Sequence, residues 1–221
     1  MLAKGGPVVV LLLLMSVAAL AIVLAKLAEF RRLALRRLDF VAPVQSSVAS
    51  GDGPKALSLL AASPNPVARV LEAAVDSAMV RHAGVTAAEA EVGRVGSGEL
   101  RSLEARLRGL AIIAHTSPLL GLLGTVLGMI AAFMNIESGG AAVDRTVLSA
   151  GIWQALVTTA LGLAVAIPSL AAFHLLEGEV DRLRAAMSDA AVRVLLAAGS
   201  PASTLSGKLE SARAAGQDYG I

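Results

Sequence analysis

GLAIIAHTSPLLGLLGTVLGMIAAFMNI, residues 109–136, is a run of 28 residues without Asp, Glu, Lys or Arg. As a helix it would be about 42 Å long at 1.5 Å per residue. About 20 apolar residues suffice to cross the hydrocarbon of a bilayer. Two more runs share this character. Residues 146–176 hold 31 consecutive uncharged residues, and residues 5–25 hold 21. Each predicts a spanning helix, so the expected fold class is an all-α integral membrane protein with three transmembrane helices.

Composition agrees. Of the 221 residues, 56% are hydrophobic and only 16% charged, against about a quarter charged in soluble domains. The charges lie in blocks between the apolar runs. With no cysteine in the chain, disulfides and thiolate metal sites are excluded. No metal, cofactor or nucleic acid is expected at a formal net charge of +2. An enzyme is not expected either. His115 and Ser117 are near neighbours, but no nucleophile, base and orienting group form a set.

Orientation follows from the arginines. One set of flanks carries Arg31, Arg32, Arg36, Arg37, Arg101, Arg106, Arg108, Arg182 and Arg184, and the other carries Lys4 and Arg145. Nine against two places the first set in the cytoplasm by the positive-inside rule, with the N-terminus outside. The basic exit of the first run also argues against a cleaved signal peptide. The organisation expected is a first transmembrane helix with a cytoplasmic extension over 1–38, a cytoplasmic helical segment over 39–108, two further spans over 109–176 joined by a periplasmic turn at 137–145, and a cytoplasmic helix with a mobile tail over 177–221. Within 39–108, turns are read at 50–54 and 63–66, helices at 55–62 and 67–82, a capping box at Thr86 and Glu89, and an interruption at Gly96–Gly98.

The second and third runs carry more than hydrophobicity. Gly121, Gly124, Thr125, Gly128 and Ala132 fall on one helical face, and Gly151, Ala155, Thr158, Thr159, Gly162, Ala166 and Ser169 form a comparable face. Small faces permit close helix packing in lipid. They are also compatible with a cavity shared with another subunit. Thr125 and Thr159 lie about 4 Å and 3 Å outward of the centres of their runs, at 1.5 Å per residue, which predicts a polar belt near mid-membrane. Thr158 and Gln154 are further polar candidates. Pro118 and Pro168 each remove a backbone hydrogen bond and permit a kink. No carboxylate lies in either run, although ion relays normally need an ionisable group inside the membrane. A proton path would therefore borrow its carboxylate from a partner.

The blocks SPLLGLLGTVLGM at 117–129 and GIWQALVTTALGLAVAIP at 151–168 resemble the ExbB/TolQ/MotA proton-channel family, most closely its ExbB and TolQ branch. The resemblance implies a ring-forming homo-oligomer, generally a pentamer, around an ExbD/TolR-type single-span partner whose aspartate titrates. It implies a stator in the bacterial inner membrane that uses the proton-motive force, with a TonB- or TolA-type protein as a further partner. It maps pore threonines onto Thr125 and Thr159. Relatives often carry glutamate where this chain has Gln154, which removes a titratable group there. A stand-alone channel or carrier and a structural membrane scaffold are the alternatives.

The topology is tested by cysteine labelling. Single cysteines replacing Ser138 and Ser206 should react with an impermeant thiol reagent from opposite sides of the membrane. Reaction of both from one side would refute three spans.

Overall fold

A computed structural model describes residues 6–138 and 145–199, with side-chain surroundings for 6–134 and 148–199. The centre of the expected turn at 137–145, Pro201 and the tail to Ile221 lie outside the described residues. The described chain is helical: α1 (Gly6–Arg32), α2 (Val41–Ala49), α3 (Gly53–Ala61), α4 (Pro66–Val75), a π-helical turn (Asp76–Val80), α5 (Val85–Ser138) and α6 (Arg145–Ala198). Three of these, α1, α5 and α6, contain segments long and apolar enough to cross a membrane. The chain divides into two compact units. An apolar one comprises the described residues of Met1–Leu27 and Glu104–Gly178, and a charged one those of Ala28–Leu103 and Glu179–Ile221.

In the apolar unit the small faces of α5 and α6 pack on each other. A methyl group on Gly162 would sit 2.7 Å from Ser117 O and 3.0 Å from Gly121 Cα. One on Gly121 would lie 3.1 Å from both Thr158 O and Thr159 Cα. The series continues with Gly124 against Thr158, Gly128 against Ala155, and Gly151 against Ala132. Rising numbers on α5 meet falling numbers on α6, so the pair is antiparallel. Lipid offers no hydrophobic drive for helices to associate, and close backbone contact supplies dispersion energy in its place. The glycines of the small faces are thus occupied within one chain. The helices run without interruption through Pro118 and Pro168. Helix α1 buries Val8, Val9, Leu12 and Ala19 and leaves Val17, Leu20 and Leu24 exposed.

The charged unit has its own core. Val44 and Val48 of α2, Ala56 and Leu60 of α3, and Val67, Val70, Leu71 and Ala74 of α4 are buried, as are Leu103 of α5 and Val180, Leu183, Met187 and Val194 of α6. Two side-chain caps begin its short helices. Asp52 accepts from Lys55 N at 3.1 Å, and Asn65 accepts from Val67 N at 2.9 Å, each satisfying a helix-end donor.

Several local features differ from the sequence expectation. Helix α1 ends at Arg32 rather than near 38. Ala34 there adopts a left-handed conformation at φ 46°, and the buried Asn65 amide donates to Ala34 O at 3.0 Å and Arg37 O at 3.1 Å. A contact some 30 residues away therefore stops the helix. Helix α2 has no strong sequence signal. Pro43 opens its first turn, Ser46 and Ser47 hydroxyls return to Pro43 O, and burial of Val44 and Val48 stabilises it. The helix expected at 67–82 tightens into α4 and then widens into the π turn, closed by Arg81 N donating to Asp76 O at 2.9 Å. Gly96–Gly98 does not break α5, because Gly96 packs toward Val70 while Ser97 Oγ donates to Gly93 O. Thr86 lies inside α5; Gly84 O accepts the first helical amides instead.

Glu179 joins α6 to the turn after α1 by accepting hydrogen bonds from Arg36, and Arg182 adds a second contact at 2.8 Å. The Arg36 hydrogen bond is the main reason the Glu179 carboxyl is held below the usual carboxylate range; partial burial opposes it, and the charges of Arg36 and Arg182 assist.

Two outcomes follow from these contacts. Gly162→Ala should lower the stability of the detergent-purified protein by about 1–3 kcal/mol through overpacking, whereas Gly178→Ala, with open space around it, should raise it by about 0.5–1 kcal/mol. Equal thermal stability of the two variants would refute the backbone seam. A carboxylate whose folded pKa is depressed stabilises above its unfolded pKa and loses that contribution as pH falls through the folded value. The stability difference between wild type and Glu179→Gln should therefore be present at neutral pH, begin to shrink below the ordinary glutamate pKa of about 4.3, and be lost at still lower pH. A difference that persists there would remove the ion pair from the explanation.

Candidate functional site

The four polar residues expected to share an ion path do not share one face. At about 100° per residue, the α5 contacts centre between Gly121 and Gly128, and the α6 contacts between Ala155 and Gly162. Thr125 and Thr159 each stand about 60° to one side of those centres. Because the helices are antiparallel, both displacements lead to the same edge of the pair. Thr159 Oγ1 donates across to Gly121 O at 3.2 Å, one turn below Thr125. Positions facing each other across the seam place Thr125 and Thr159 about two residues, or ~3 Å, apart in depth.

The opposite edge is occupied by α1. Gly6 approaches Gln154 Nε2, and Ile22 approaches Gly109, each within 3.5 Å of the position a glycine methyl would take. Gln154 accordingly lies beside the start of α1, away from the two threonines. Thr158 lies in the seam itself at 1% exposure, against Gly124, with its hydroxyl donating to Ala155 O at 2.7 Å. Neighbouring numbers on a helix point about 100° apart, which is why Thr158 and Thr159 divide between contact and edge.

The threonine edge is otherwise apolar and open. Leu122 is 59% exposed, Leu156 61% and Leu163 44%. Thr125 and Thr159 are both half-buried there. Thr125 Oγ1 donates to Leu122 O at 2.6 Å, a bond within its own helix that leaves the oxygen's lone pairs free to accept. Three other hydroxyls are satisfied locally: Ser117 by Ile113 O, Thr116 by Ile112 O and Ser169 by Val165 O. His115 Nδ1 lies 2.7 Å from Ala111 O, and His174 Nδ1 lies 3.3 Å from Glu177 Oε2. Among the described residues no cluster of metal-ligating side chains is found. The edge can therefore offer hydrogen bonds in an apolar setting, but no proton of its own to transfer. Glycine spacing marked the two small faces in advance, but not that they meet each other. The division into two edges depends on where α1 docks, and no pattern in residues 6–32 announces that.

A model of the MotA/TolQ/ExbB proton channel family matches residues 62–189, more than half of the chain. The chain belongs to this family. Among its relatives, biopolymer transport protein exbB1 of Vibrio cholerae serotype O1 is 44% identical over 79 residues, covering 36% of this chain and 35% of that protein. The Tol-Pal system protein TolQ of Haemophilus influenzae is 41% identical over 85 residues, 38% of this chain and 37% of its own length. A putative ExbB homolog of Methanothermobacter thermautotrophicus is 27% identical over 182 residues, 82% of this chain and 63% of that one. The chain thus matches roughly a third of the first two relatives and under two thirds of the third. Family membership and three apolar helices together identify an integral membrane protein of the ExbB/TolQ branch.

Proposed function

We propose that the protein is the ring-forming, ExbB/TolQ-like subunit of a proton channel and stator in the bacterial inner membrane. It works with an ExbD/TolR-type single-span partner and uses the proton-motive force to energise transport or envelope work. The observation that carries this proposal is the pairing of Thr125 and Thr159 on the edge of α5 and α6 opposite α1. In a ring, generally a pentamer in this family, that edge faces the axis and α1 faces the lipid. The C-terminus and the charged unit are cytoplasmic, in keeping with the arginine distribution.

The mechanism follows from what the edge contains and lacks. Neither apolar run of α5 or α6 contains a carboxylate, so the titrating group is an aspartate on the partner helix. As that helix turns within the ring, its carboxyl group leaves water and meets alternately leucine and threonine. An uncompensated charge in an apolar surrounding is costly, so the aspartate crosses leucine protonated and exchanges its proton where hydroxyls can hydrogen-bond it. Two hydroxyls within ~3 Å in depth form a belt at one level rather than a ladder across the membrane, which favours stepwise rotation over a continuous leak. In this mechanism Gln154 and Thr158 pack helices, and the energised machinery includes a TonB- or TolA-type protein.

Thr125→Val and Thr159→Val keep the side-chain volume and remove the hydroxyl. A hydroxyl that turns its proton from its carbonyl to an ionised carboxylate makes a hydrogen bond to a charged group, worth about 1.5–3 kcal/mol, so each variant should co-purify with the partner yet show proton flux in vesicles reduced about ten- to hundredfold. Thr158→Val and Gln154→Leu should keep flux near the wild-type value if they fold. Unchanged flux in both Thr125→Val and Thr159→Val would leave the hydroxyls as packing groups and overturn the mechanism.

A further inference from the structure

We infer that the turn following α1 binds the headgroup of an anionic phospholipid. Arg31 and Arg32 occupy the last turn of α1, and Arg37 follows five residues later. All three are exposed. Among the described residues no ion pair engages them, in contrast to Arg36, which Glu179 holds. Each guanidinium has five N–H donors suited to phosphate oxygens.

Two observations separate this cluster from a simple topology signal. The first is its rigidity. A topology signal requires only a count of charges, whereas residues 34–37 are pinned by the buried Asn65 amide, which bonds the carbonyls of Ala34, Leu35 and Arg37. Leu35 turns inward and is buried, so Arg37 is presented outward from a fixed backbone. Little conformational freedom is then lost on binding. The second is register along the one continuous helix α1. Val17, Leu20, Leu24 and Leu27 are exposed, and their spacing of three and four continues directly to Arg31. Arg31 and Arg32 close a helix long and apolar enough to cross a membrane, which sets the cluster at the level of lipid headgroups. The occupant is therefore an amphiphile with an apolar chain and an anionic head, not a free phosphate or an acidic protein. Juxtamembrane basic clusters attract anionic lipid by about fivefold per arginine.

The proposal does not depend on proton coupling. It is tested on the full-length protein, purified with its native assembly and reconstituted in nanodiscs holding equal phosphatidylglycerol and phosphatidylcholine, with retained lipid counted after delipidation. Wild type should retain phosphatidylglycerol over phosphatidylcholine by about tenfold or more. The variant R31Q/R32Q/R37Q should lose that preference. A control of equal charge, R81Q/R94Q/R193Q, removes arginines already paired with Asp76, Glu91 and Asp189 and should keep it. R37Q alone leaves both helix-end arginines to set orientation, and should still lower retention about fivefold. No preference in wild type, equal retention by R37Q and wild type, or loss in the control matching loss in the triple variant would each overturn the assignment.

Discussion

Backbone contact between α5 and α6 at Gly121 and Gly162 governs the arrangement of the apolar unit. A methyl group on Gly162 would meet Ser117 O at 2.7 Å, closer than van der Waals contact permits, so the helices approach to a distance that only glycine tolerates. In lipid this proximity is the main attraction available, because hydrocarbon competes for every leucine on equal terms. The same contact sets the rotation of both helices about their axes. Once Gly124 faces Thr158 and Gly128 faces Ala155, the remaining positions have no freedom. Thr125 and Thr159 must emerge on one edge, and Gln154 on the other.

Polar groups in the uncharged segments conform to the same constraint. Ser117, Thr125, Thr158 and Ser169 return their hydroxyl protons to carbonyls of their own helices, and Thr159 reaches across to α5. Buried donors are thereby satisfied without water. What survives for function is acceptor capacity on two half-buried threonines, set among exposed leucines. A surface of that kind suits a partner that carries its own charge in a protonated, neutral form and exposes it only where hydroxyls are present.

The charged unit solves a different problem, the exit of α1 from its apolar surroundings. Asn65 performs two tasks with one side chain. Its oxygen caps α4 and its nitrogen gathers three carbonyls of the turn at 34–37. Glu179 secures the same turn through Arg36. With these bonds made, the basic residues beside the turn are held in place rather than left on a loose linker, which turns a set of charges into a recognition surface.

Much of this was legible in the residues alone. Three uncharged runs required three spanning helices, since charge cannot be carried into hydrocarbon cheaply. Small residues at intervals of three and four marked the faces of α5 and α6, and the paired motifs around Pro118 and Pro168 pointed to the family. Three other features depended on contacts distant in sequence. Whether the small faces met each other or a second subunit depended on the antiparallel docking of α5 and α6. Which hydroxyl became Thr158, sealed in the seam, and which became Thr159, open at its edge, depended on a helix rotation that a periodic pattern specifies only to within about a residue. The end of α1 at Arg32 could not be read from residues 33–38, which are compatible with helix; it was decided by Asn65. Periodicity is a property of one helix, and edges, seams and enforced turns belong to pairs of segments, so only the tertiary structure could determine them.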